Sequence, residues 1–142
     1  MRRICSAALL AALSLGACNE QPQPANQRKI RVTSAEQQQL HQLDAINLAI
    51  GLKRAIYDAG YTCKRITDAG FVGTWKNLDM WMAHCVYDNG ATRDWAIFAG
   101  PDGGAQVRDC ADIKTGKLAV SEAPLPQCAI KKRPKGSFNQ LK

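Results

Sequence analysis

Apolar residues first recur along this chain at three- and four-residue steps. Leu40, Leu43, Ile46 and Ile50 mark one stripe, and Tyr57 extends it. That spacing belongs to one face of a helix. Thr33 or Ser34 can cap its start, with Glu36 or Gln37 three residues on to close a capping box. Gly60 follows as a terminating residue. The pattern predicts a single helix over about 35–59. Gly51 lies inside it at a cost of about 1 kcal/mol relative to alanine, and reads as a point of close packing.

Beyond Gly60 the period drops to two and turn residues appear. Tyr61 to Ile66 reads as a first strand, broken by Asp68-Ala69-Gly70 and Gly73. Asp79 to Tyr87 reads as a second strand. Asn89-Gly90 is a hairpin turn, because both of its residues tolerate positive φ. Thr92 to Ala99 and Ala105 to Cys110 follow as third and fourth strands, separated by Pro101-Asp102-Gly103-Gly104. The expected fold class is α+β, one N-terminal helix packed on a four-stranded antiparallel meander. Residues 111–128 read as an ordered loop closed by Cys128.

A two-residue Asn89-Gly90 turn would place Met80, Met82, His84, Val86, Trp95 and Ile97 on one sheet face. Trp81, Ala83, Cys85, Tyr87, Ala96 and Phe98 would share the other. Both faces are substantially apolar and one helix covers only one of them. The second is either covered by the C-terminal loop or left as an interaction surface. Trp75, in the turn region between strands, Trp81 and Tyr87 are the aromatic candidates for such a surface, since tryptophan is favoured at binding patches.

The chain has 142 residues, enough for one domain, and its 46% hydrophobic content suffices for a packed core. The net charge of +7 is unevenly placed. Arg2 and Arg3 open the chain, while Lys131, Lys132, Arg133, Lys135 and Lys142 fall in residues 131–142, which hold no acid. Residues 18–130 are therefore neutral overall. A nucleic-acid-binding fold carries its basic charge on the folded face, so nucleic acid is not an expected partner. Lys131, Lys132 and Arg133 are candidates for binding an anionic polymer or lipid headgroups, on what reads as a disordered basic tail.

Met1-Arg2-Arg3 followed by the apolar run Ile4 to Leu15 reads as a secretory signal, too short to span a bilayer. Leu15-Gly16-Ala17-Cys18 resembles the lipobox of bacterial lipoproteins. The resemblance implies cleavage before Cys18, a diacylglycerol on its sulfur and an acylated amino group. Two or more acyl chains give durable membrane anchoring where one is marginal. Asn19 at the next position implies delivery to the outer membrane, facing the periplasm. The expected organisation is a signal at 1–17, the lipidated Cys18 with a tether through residue 32, one domain over 33–130, and the tail 131–142. Prolines and amides make residues 19–32 a linker that reaches about 40 Å if extended.

Of six cysteines, Cys5 is lost with the signal and Cys18 is the lipid site. Cys63, Cys85, Cys110 and Cys128 remain, an even number in an exported domain, where disulfides are the default. Three pairings are possible; Cys63–Cys85 and Cys110–Cys128 are favoured because they staple neighbouring strands and pin the C-terminal loop. No Cys-x-x-Cys occurs, which disfavours zinc, and no cofactor is expected.

Candidate chemistry is sparse. Only His41 and His84 are histidines, and no Gly-x-Ser-x-Gly, His-Glu-x-x-His or P-loop occurs. Catalysis is not expected. The expected role is a small lipid-anchored envelope protein that binds or supports another envelope component. The alternative is an inhibitor or exclusion lipoprotein acting on a hydrolase or a conjugation apparatus. Tyr61-Thr62-Cys63 resembles the start of periplasmic lysozyme inhibitors, whose all-β fold the preceding helix does not fit.

Overall fold

The computed structural model describes residues 33–115 and 125–138. Helices α1 (Ala35–Gln42) and α2 (Ala45–Asp58) precede strands β1 (Arg65–Trp75), β2 (Leu78–Val86), β3 (Thr92–Ala99) and β4 (Ala105–Asp109), and helix α3 (Cys110–Lys114) follows. The strands form one antiparallel sheet in the order β1-β2-β3-β4. The fold is α+β, with helices on a four-stranded meander.

The expected single helix is two. Ser34 and Gln37 form the capping box of α1. The chain then turns extended at Leu43, with ψ 144°. Asp44 caps α2, its carboxylate accepting from the Asn47 N–H at 2.9 Å. Such a cap contributes about 1 kcal/mol. The break resets the helical phase. In α2 the buried face is Ala45, Leu48, Ala49, Leu52 and Ile56, whereas Ile50 and Tyr57 of the expected stripe are 57% and 47% exposed.

The first strand also differs from expectation. It starts at Arg65 and continues through Gly70 and Gly73, with register shifts at Ile66/Asp68 and Phe71/Gly73. These bulges absorb Thr67 and Val72 as extra residues, so the glycines bend the strand without ending it.

The β2–β3 register overturns the assigned faces. Val86 pairs with Thr92, and the Tyr87 N–H donates to the Ala91 carbonyl at 2.9 Å. Asp88, Asn89 and Gly90 therefore form the loop, with Gly90 at φ 78°. One extra loop residue slips the register by one and flips every β3 side chain relative to β2. Trp81, Ala83, Cys85, Trp95 and Ile97 now share one face with Ile66, Ala69 and the buried side of α2. Met80, Met82, Ala96 and Phe98 share the other with Val72 and Cys110.

The second face is covered. Ile113 of α3 and Leu125, Cys128 and Ile130 pack on it. The chain then crosses the free edge of β1, where the Phe71 N–H donates to the Lys132 carbonyl at 2.8 Å and the Lys131 N–H donates to the Phe71 carbonyl at 2.9 Å. Beyond it, the Ala45 N–H donates to the Lys135 carbonyl at 2.8 Å, and Phe138 joins the main core. Lys135 thus satisfies one of the unpaired donors that every helix start carries. The expected disordered tail is, over 131–138, a strap wound from one sheet face to the other. Backbone pairing to the edge of β1 replaces the freedom that its basic composition suggested.

Both favoured disulfides are present. Cys63–Cys85 ties the segment before β1 to β2, and Cys110–Cys128 ties the start of α3 to the segment leading into the strap. The Cys63 and Cys85 side chains are fully buried in the main core.

Candidate functional site

Gln37 fixes α1 against one end of the sheet. Its Nε2 donates to the carbonyls of Asn77 and Ala99, each at 3.0 Å, and its Oε1 accepts from the Ser34 N–H at 3.1 Å. The side chain is 2% exposed, so these bonds also remove the penalty of burying an amide. Beside Gln37, where α1 meets α2 and the β3–β4 turn, lies a cleft of about 320 Å³. Leu40, Leu43, Leu52, Ala55 and Ile97 give it aliphatic walls, and Gly100, Gly103 and Gly104 bound it at the turn. Glu36 and Gln39 stand at the rim as its other polar side chains.

The two histidines each face an aspartate. His41 Nε2 lies 2.9 Å from Asp79 Oδ2, with Asp79 buried and the imidazole against Phe71 and Trp81 at centroid distances of 4.6 and 4.9 Å. His84 Nδ1 lies 2.6 Å from Asp94 Oδ1, across the β2–β3 pair and half-buried. An aspartate behind an imidazole is half of a nucleophile relay. The thiols that could complete one among the described residues are closed in disulfides. The pairs tie α1 to β2 and β2 to β3. No group of histidine, cysteine or carboxylate side chains among the described residues is arranged to hold a metal ion.

The sequence-selected residues do not converge. Trp81 is 3% exposed and belongs to the main core, because the register turns it towards α2. Trp75 ends β1, half-buried against Phe98 and beneath Lys76 Nζ at 4.7 Å. Tyr87 packs at the margin of the main core. No aromatic surface results from these three. Lys131 and Lys132 carry exposed side chains on the strap. Arg133 is committed elsewhere: its guanidinium makes two bonds to Asp68, at 3.0 and 2.7 Å, which raise its already high pKa. Cys18, the leader and the tether through residue 32 lie outside the described residues, as do 116–124 and 139–142.

The cleft has no local signature in the sequence because its walls come from α1, α2, β3, β4 and the β3–β4 turn. Gly51 held the one local signal. An added Cβ there meets nothing within 4 Å, so this glycine borders open space and is not a point of close packing. Among the described residues no helix is long and apolar enough to cross a membrane. Comparison with known protein families, curated proteins and solved structures finds no match for this chain.

Proposed function

We propose that this chain is a small lipid-anchored protein of the bacterial cell envelope with a non-catalytic binding or structural role. Residues 1–17 are the export signal, Cys18 carries the acyl chains, and the tether holds the domain off the outer membrane on its periplasmic side. The observation that supports this reading best is the pairing of Cys63 with Cys85 and of Cys110 with Cys128. Such bonds persist in oxidising compartments and are rare in the cytosol. A lipobox leader sends a chain to such a compartment.

The polar groups support the non-catalytic reading. Both histidines lie against aspartates that bind elements together, and the cysteines that could act as nucleophiles are oxidised. Binding is left to the surface. Lys131 and Lys132, held on the strap with their side chains exposed, suit anionic headgroups or polymers by Coulomb attraction.

Membrane fractionation of the wild type and of a Cys18→Ala variant tests the reading. The wild type stays in the membrane pellet through a high-salt wash that screens charge, and Cys18→Ala moves to the soluble periplasmic fraction. Equal partition of the two proteins would remove the anchor from the account.

A further inference from the structure

We propose that the cleft between α1, α2 and the β3–β4 turn binds a single aliphatic chain with an uncharged head, such as a monoacylglycerol. The inference goes beyond the anchor and does not rest on it. It comes from the walls of the domain, and lipidation at Cys18 can fail without affecting it.

Size is the first argument. The cleft is open to solvent on one side and holds about 320 Å³. Small-molecule sites start at about 300 Å³. The space is therefore in the range that takes one medium-length aliphatic chain.

Chemistry selects the ligand. The walls are leucine, isoleucine, alanine and glycine, with no aromatic ring among the described residues that line them. Nothing there would stack on a planar ligand. The amide of Gln37 is already spent on Ser34, Asn77 and Ala99. A polar group pushed into the cleft would lose its water bonds without replacement. At the rim, Glu36 is the only charged side chain among the described residues that line the cleft, and no lysine or arginine accompanies it there. A carboxylate head would meet like charge there, whereas hydroxyls can share hydrogen bonds with Glu36 and Gln39.

Gly51 is the second observation. Mid-helix glycine is unfavourable relative to alanine, and neither positive φ nor a close neighbour requires it here. It lines the cleft, and a larger side chain at that position would grow into the open space.

Isothermal titration of the exported chain with Cys18→Ala, which keeps its own acyl groups out, tests the proposal. The probes are monodecanoylglycerol and decanoate, each below its aggregation concentration. Monodecanoylglycerol binds saturably at one site, and decanoate binds at least about tenfold more weakly. Gly51→Leu costs at least about tenfold in affinity without lowering the melting midpoint. Ala105→Leu, on the opposite wall, weakens binding in the same way and serves if Gly51→Leu folds poorly. Absence of saturable binding, decanoate binding as tightly as the glyceride, or full binding by a folded variant would each overturn the proposal.

Discussion

Replacing Gly70 with alanine loosens the C-terminal strap and lowers stability by about 3 kcal/mol, the upper end of the usual cost of overpacking. The added Cβ would stand 2.5 Å from Ile130 Cγ2 and 2.6 Å from the Lys132 carbonyl oxygen. A side-chain methyl can rotate aside. The carbonyl cannot, because it accepts the Phe71 N–H; moving it breaks the pairing that holds the strap to β1. Gly70 φ is not positive, so the effect is steric and not a matter of backbone strain. Gly73→Ala is the control, since its nearest neighbours stand at 3.8 Å. Urea unfolding reads the stability, and limited trypsin digestion reads the strap. Gly70→Ala is cut after Lys131 and Lys132 where the wild type and Gly73→Ala resist. Its uncovered β1 edge also promotes self-association, as unpaired strand edges do. If Gly70→Ala matches Gly73→Ala in both assays, the strap does not clasp the edge as described.

Breaking the disulfides produces the other large effect. The bridges span 22 and 18 residues. By the chain-entropy argument each restricts the unfolded state by roughly 3 kcal/mol. A domain of this size has a net stability of about 5–15 kcal/mol, so losing both removes a large share of it. Each kcal/mol moves the melting midpoint by roughly 4–8 °C in a domain of about 100 residues or fewer. Reduction with a strong thiol therefore lowers the midpoint by tens of degrees. Paired substitutions separate the two bridges. Cys63→Ala with Cys85→Ala removes buried volume from the main core as well, and costs more than Cys110→Ala with Cys128→Ala. The latter frees α3 from the segment leading into the strap and uncovers the second sheet face before the first. Calorimetry with and without reductant checks the total. An unchanged midpoint, with the thiols shown to be free, would contradict it.

The meander was legible because period-two alternation and turn residues are local signals. β3 matches its expected bounds of Thr92 to Ala99. Helix content was legible too, but not the break at Leu43 and Asp44. An aspartate capping inside an apolar stripe looks like a polar residue on a helix face until the chain turns extended there. The faces of the sheet depended on one loop residue. Asn89-Gly90 marked the turn correctly, and the inclusion of Asp88 reversed the partners of Trp81 and Trp95. The strap was least legible. Its lysines describe a solvated surface, and the backbone bonds at Phe71, Ala45 and Lys135 are independent of those side chains. For the cleft, Gly51 was visible, but its surroundings come from Leu40 and Ile97, which are distant in the chain.

The protein proposed here is an oxidised, doubly stapled domain carried on an acylated cysteine. Intact-mass spectrometry of the protein isolated from membranes, alkylated under denaturing conditions without reductant, reads the anchor and both bridges together. The expected chain begins at Cys18, carries the added mass of its acyl groups and takes up no alkylating reagent at Cys63, Cys85, Cys110 or Cys128. A chain that retains Met1 to Ala17, has no acyl mass and is alkylated at all four of those thiols would contradict it.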